Sequence, residues 1–170
     1  MLQPISTIEP RVCRDLLGVV FDVDDTLTRS GRLEREAYAA LWDLANAGLM
    51  RVAVTGRPLG FAEILARTWP VDLAVGENGA GYLRVLDREL RVGYYFDEAE
   101  RQRQRRVLER VRARVERDAP WAVLSDDSWA RRCDLAYDVA ERVQLPTSQV
   151  EELRAIIHDE GARTVVSSVH

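Results

Sequence analysis

The sequence predicts an α/β protein: a Rossmann-like parallel sheet core that carries an inserted α+β cap. Three observations predict it. Through the first half of the 170-residue chain, short apolar runs alternate with helical patterns, the βαβ rhythm of a parallel sheet with right-handed crossovers. Three successive runs end in polar residues, at Asp22-Val23-Asp24, Thr55-Gly56-Arg57 and Glu77-Asn78-Gly79. Parallel sheets bind their ligands beyond the carboxyl ends of strands, so such endings mark a site. After Gly81 the pattern changes to a hairpin and a long arginine-rich helix, the signature of a second unit.

Residues 16–22 read as a buried parallel strand, an apolar run ending in an acidic turn. Thr28 to Gly31 reads as a turn, and the helix after it places Leu33, Ala37, Ala40, Leu41 and Leu44 at helical spacing. Gly48 sits where a left-handed cap ends that helix. Residues 50–54 form the second strand, and a helix from Pro58 to about Thr68 has proline at a permitted first-turn position. Residues 71–75 make the third strand. Tyr82 to Tyr94 reads as a hairpin turning at Asp87-Arg88. From about Asp97 to Asp118 a helix carries Val107, Leu108, Val111 and Val115 as a narrow apolar stripe. Short strands are expected at 121–124 and 133–139, a helix from Thr147 to about Asp159 capped by Thr147 or Ser148, and a last strand at 163–169. The division is therefore residues 12–94 for the amino-terminal part of the core and 95–170 for the cap.

Composition narrows the function. An apolar content of 46% is enough for a real core, and a formal charge of −4 gives no overall electrostatic footprint for nucleic acid. The arginine run from Arg101 to Arg117 is interspersed with glutamates and reads as a solvated helix face. Two distant cysteines, Cys13 and Cys133, read as buried thiols of a reduced, cytoplasmic protein. Met1 to Pro10 has neither a charged n-region nor an apolar h-region, so no signal peptide is expected, and no apolar stretch approaches a membrane span. All 24 basic side chains are arginine, which removes lysine from any phosphoryl-transfer site.

Side chains alternate along a strand, so Asp22 and Asp24 leave the same face while Val23 points the other way. Two convergent carboxylates at a strand end suit a divalent metal and a phosphoryl acceptor. Asp22-x-Asp24-x-Thr26-Leu27 resembles the first motif of the haloacid dehalogenase superfamily of phosphatases and phosphotransferases, and Thr55-Gly56-Arg57 resembles its second. The order Thr-Gly-Arg, a strand, Glu77-Asn78-Gly79-Ala80 and then a hairpin is similar to subfamily IIB. That group includes sucrose-phosphate, mannosyl-3-phosphoglycerate and trehalose-phosphate phosphatases and the phosphomannomutases.

The resemblance implies a Mg²⁺-dependent phosphoric monoester hydrolase acting on a sugar phosphate or similar small phosphomonoester through an aspartyl-phosphate. Asp22 is its nucleophile and Asp24 its general acid. Mg²⁺ is held by Asp22, the main-chain carbonyl of Asp24 and one further acid. Thr55, Gly56, Arg57 and Asn78 bind phosphate or substrate. Arg131 and Arg132 are candidates for gripping a polar or anionic substrate. The alternatives are a phosphomannomutase-like phosphotransferase and an inactive binding module of the same fold. The sequence departs from the family in lacking its lysine and a clear Gly-Asp acidic pair; Asp126-Asp127 stands where the cap is expected. The chain is therefore expected to lack the carboxyl-terminal return to the core and, alone, to turn over weakly or not at all.

Overall fold

The computed structural model describes Pro4 and residues 7–166. A short helix, α1 (Pro10–Arg14), precedes β1 (Gly18–Asp22). After an irregular turn over Val23–Leu27 come two two-residue strands, β2 (Thr28–Arg29) and β3 (Arg32–Leu33), and helix α2 (Arg35–Asn46). Then follow β4 (Met50–Val54), α3 (Leu59–Thr68), β5 (Leu73–Gly76), and the hairpin β6 (Gly81–Leu86) and β7 (Glu89–Tyr94). Two helices complete the described chain, α4 (Glu98–Asp118) and α5 (Thr147–Asp159).

The five long strands form one mixed sheet in the order β1-β4-β5-β6-β7, parallel from β1 to β5 and antiparallel beyond. Register puts Phe21, Ala53, Ala74 and Leu83 in one row across the sheet. This row and α3, through Leu59, Ala62 and Leu65, make the first hydrophobic core. Crossovers from β1 to β4 and from β4 to β5 step in the same direction, so right-handedness puts α2 and α3 on one face. There Tyr38 meets Trp69 edge to face, with centroids 6.5 Å apart. A second cluster joins α4 and α5 through Val111, Val115, Leu153 and Ile156. The architecture is thus a Rossmann-like mixed sheet with a helical cap.

Several local expectations are corrected. The 16–22 segment is an edge strand and not a buried one, with Val20 69% exposed; an apolar run reads alike in either setting. The region expected as a turn at 28–31 is a small hairpin, and Leu33 belongs to β3, so the helix begins at Arg35. Pro58 lies just outside α3, and Pro146 precedes α5 with no side-chain cap from Thr147 or Ser148. The strands expected at 121–124 and 133–139 shrink to one bridge, Leu124 to Tyr137, because the intervening backbone bonds to the core. Residues 163–166 form no strand, and the rest of that expected strand, with His170, lies outside the described residues. Cys13 is exposed and Cys133 half-buried, where two buried thiols were expected.

Other expectations hold. Gly48 has a φ of +76° and closes α2 as its left-handed cap. The helix expected from about Asp97 begins at Glu98, and the Asp97 side chain, accepting from Glu100 N–H at 2.8 Å, supplies a cap the sequence reading did not name. The arginines of α4 pair with neighbouring acids, as Arg103 does with Glu100 and Arg114 with Asp118 and Glu160.

Candidate active site

Asp22 ends β1, and the chain leaves the sheet through a tight loop. Val23 turns inward and is buried; its carbonyl accepts from both the backbone N–H and the hydroxyl of Thr28. Asp25 is left-handed, with a φ of +56°. This closure fixes the backbone between Asp22 and Asp24, so both carboxylates open into one cleft. Among the described residues the Asp22 carboxylate has no hydrogen bond or ion pair.

Asp24 is held instead. Thr55 Oγ1 donates to one carboxylate oxygen at 3.0 Å, and Arg57 Nε donates to the other at 2.7 Å. Thr55 is buried at the end of β4, where its N–H extends the ladder to the Val75 carbonyl. Its hydroxyl also accepts from Arg57 N–H. The Arg57 guanidinium lies over the Phe61 ring, 5.1 Å from its centroid. Asn78 is left-handed, with a φ of +53°, and its N–H reaches the Thr55 carbonyl. A Cβ on Gly56 would come within 3.1 Å of Asn78 Oδ1, so the glycine admits the asparagine side chain close to the backbone.

The three strand ends therefore bring Asp22, Asp24, Thr55, Gly56, Arg57 and Asn78 together. Asp22, Asp24, Gly56, Arg57 and Asn78 line the cleft, while Thr55 stands behind Asp24. Facing them from the cap are Arg131 and Asp134. Arg131 is already engaged: it donates to Asp127, Asp134 and the Gly56 carbonyl. Burial opposes its charge, and Asp134 and Asp127 more than offset this, holding the guanidinium above its ordinary pKa. Burial likewise lifts the Asp134 carboxyl above the usual carboxylate range against the pull of Arg131. Arg132 pairs with Glu63. Both arginines, candidates for gripping a substrate on the sequence, are engaged at the cap–core junction.

The cleft holds about 1280 Å³, more than a small ligand's roughly 300–1,000 Å³, because it continues between α4 and α5. Among the described residues no three histidine, cysteine, aspartate or glutamate side chains converge as a metal cluster. Asp22 offers one open carboxylate, and one or two suffice for Mg²⁺ when phosphate oxygens and water complete its shell. No helix among the described residues is long and apolar enough to cross a membrane.

No protein-family model matches the chain, and no curated protein matches it by sequence. Solved structures do. A protein of Thermoplasma acidophilum superposes with a TM-score of 0.64 at 16% identity, over 86% of this chain and 58% of that one. The IMP-nucleotidase of Plasmodium falciparum gives a TM-score of 0.53 at 14% identity, over 85% of this chain and 41% of that one. Its ATP-bound structure gives 0.56 at 13% identity, over 85% and 40%. At these identities the likeness is one of fold, the mixed sheet with its helical cap. This chain spans between two-fifths and three-fifths of the lengths of these structures.

Sequence reasoning quoted Glu77 but gave it no role. It is the most heavily hydrogen-bonded carboxylate near the site, and its signal was an acid inside a buried Gly-x-Asn-Gly turn. Asp25 and the Ser30-Gly31 turn also line the cleft, which the spacing did not foretell.

Proposed function

We propose that this chain carries the phosphoryl-transfer site of a phosphatase of haloacid dehalogenase-like fold, acting on a small phosphomonoester, with a sugar phosphate as the favoured class. The observation that carries this is the asymmetry of the acid pair. Asp22 is unpaired and open to the cleft, as a nucleophile must be, while Asp24 beside it is oriented by Thr55 and Arg57.

In this reading an Asp22 oxygen attacks phosphorus, a P–O bond forms, and the bond from phosphorus to the ester oxygen breaks. Asp24, protonated at that moment, gives its proton to the departing alkoxide. Water then attacks the aspartyl-phosphate, Asp24 takes back a proton, and Asp22 is freed with release of phosphate. Arg57 supplies a fixed positive charge within hydrogen-bonding range of the reacting groups, in a chain that has no lysine. Asp22 and the main-chain carbonyl of Asp24 would hold Mg²⁺, whose charge offsets that of the phosphoryl oxygens.

Residues 12–94 are proposed as the amino-terminal part of the core and 95–170 as the cap. Among the described residues the outer edge of β1 is unpaired, and Val20 of β1 and Met50 of β4 are 69% and 54% exposed. That supports a reading in which further polypeptide completes the sheet beside the site.

Beryllium fluoride with Mg²⁺ tests the nucleophile without needing turnover. A fluoroberyllate adduct on Asp22, seen by ¹⁹F NMR and absent from Asp22→Asn, is the expected result. An adduct that persists in Asp22→Asn overturns the assignment.

A further inference from the structure

Glu77 is 3% exposed, yet its carboxylate takes four backbone N–H groups from two distant parts of the chain. Oε1 accepts from Leu59 N–H and Arg132 N–H, both at 2.8 Å. Oε2 accepts from Cys133 N–H at 2.6 Å and Asp134 N–H at 3.1 Å. Leu59 opens α3, so its N–H is one of the donors a helix leaves unpaired at its start. The other three donors belong to the cap, more than fifty residues further along.

The backbone is bent to make this possible. Glu77, Asn78 and Gly79 are all left-handed, with φ of +49°, +53° and +98°. Non-glycine residues hold such values only where their surroundings impose them. The bend turns the Glu77 side chain back under the strand end and sends Asn78 forward into the cleft. Three further contacts converge on the same junction. Arg131 donates to the Gly56 carbonyl, Arg132 pairs with Glu63, and Ala130 lies so near Gly60 that a Cβ there would meet the alanine's own at 2.9 Å.

We propose that Glu77 is the latch that docks cap residues 131–134 onto the core and thereby sets where Arg131 and Asp134 stand opposite Asp22 and Asp24. It is a positioning residue. A single carboxylate joins the start of α3, the loop carrying Asn78 and the cap wall of the cleft. The latch does not depend on the phosphoryl-transfer reading, since it concerns where the cap sits and not what the acids do.

Cys133 reports on it directly. Burial, and then the charge of Glu77, push this thiol up to about 11. At pH 8 its thiolate fraction is on the order of 100-fold below that of an ordinary cysteine. In a Cys13→Ser background, alkylation of Cys133 by iodoacetamide is expected to be slow. Glu77→Ala should raise that rate by about 100-fold. Glu77→Gln keeps one acceptor oxygen and should give an intermediate rise of about 10-fold. Amide exchange at Arg132, Cys133 and Asp134 should accelerate in step, while Ala53 and Val54 in β4 stay protected. If Glu77→Ala does not fold, Glu77→Gln carries the test alone. Unchanged labelling and exchange at 132–134 in a folded variant overturns the latch, as does acceleration there matched equally in β4.

Discussion

On the proposed phosphoryl-transfer reading, Asp22→Asn is expected to abolish whatever phosphomonoester hydrolysis the parent shows, a loss in kcat of up to about 10⁴- to 10⁶-fold. An asparagine amide cannot form the acyl-phosphate, so the two-step route closes and no weaker version of it remains. The fold should not notice. Asp22 is exposed and has no partner among the described residues, so its change to asparagine should move stability by less than about 0.5 kcal/mol. That separation makes the experiment decisive: activity falls while the melting temperature stands still. Turnover of p-nitrophenyl phosphate and of hexose phosphates in Mg²⁺, with Asp43→Asn on the exposed face of α2 as a matched control, is the measurement. Residual activity above a tenth of the parent's removes Asp22 from the chemistry. Asp24→Asn should behave differently. It keeps the shape that Thr55 and Arg57 grip but cannot donate a proton to the leaving alkoxide, so esters with poor leaving groups should suffer most.

How much of this was legible beforehand follows from the range of each interaction. The strands at 50–54 and 82–94 and the helices near 59–68, 98–118 and 147–159 rest on local periodicity, and they lie where it put them. The site emerged from three strand ends because topology, not side-chain partnership, brings strand ends together. What the sequence could not show are bonds between residues far apart in the chain. Asp24 and Arg57 are linked across 33 positions, and Glu77 and Cys133 across 56. No local pattern announces either. The Glu77 bonds also explain why the strand expected at 133–139 does not begin at Cys133. Residues 132–134 alternate plausibly as a strand, but their N–H groups are spent on a carboxylate and cannot join a ladder. The open edge of β1 escaped for another reason. Its residues are as apolar as those of a central strand, and only the strand order distinguishes the two.

Leu59→Ala should be among the most destabilising truncations in the chain, by about 3–4 kcal/mol, since it opens a cavity in a fully buried site. The reason is its place in the packing. Leu59 sits between the sheet and α3, and its side chain occupies the space that Cβ atoms on Gly76 and Gly81 would enter, at 3.2 and 3.0 Å. The glycines are thus counter-shapes to one leucine, at either end of the loop that carries Glu77 and Asn78. Gly81→Ala attacks the same contact from the other side. Its Cβ would meet Leu59 Cδ1 at 3.0 Å and the Gly93 carbonyl at 3.1 Å, and of the two only the leucine atom is the end of a side chain. That overpacking should cost about 1–3 kcal/mol. In the double variant the new methyl enters the vacated space, so its loss should fall short of the sum by about 1 kcal/mol. The Gly93 carbonyl does not move away, which keeps the rescue partial. Urea unfolding of the four proteins gives this cycle. Strict additivity would mean that Leu59 and Gly81 do not share a contact.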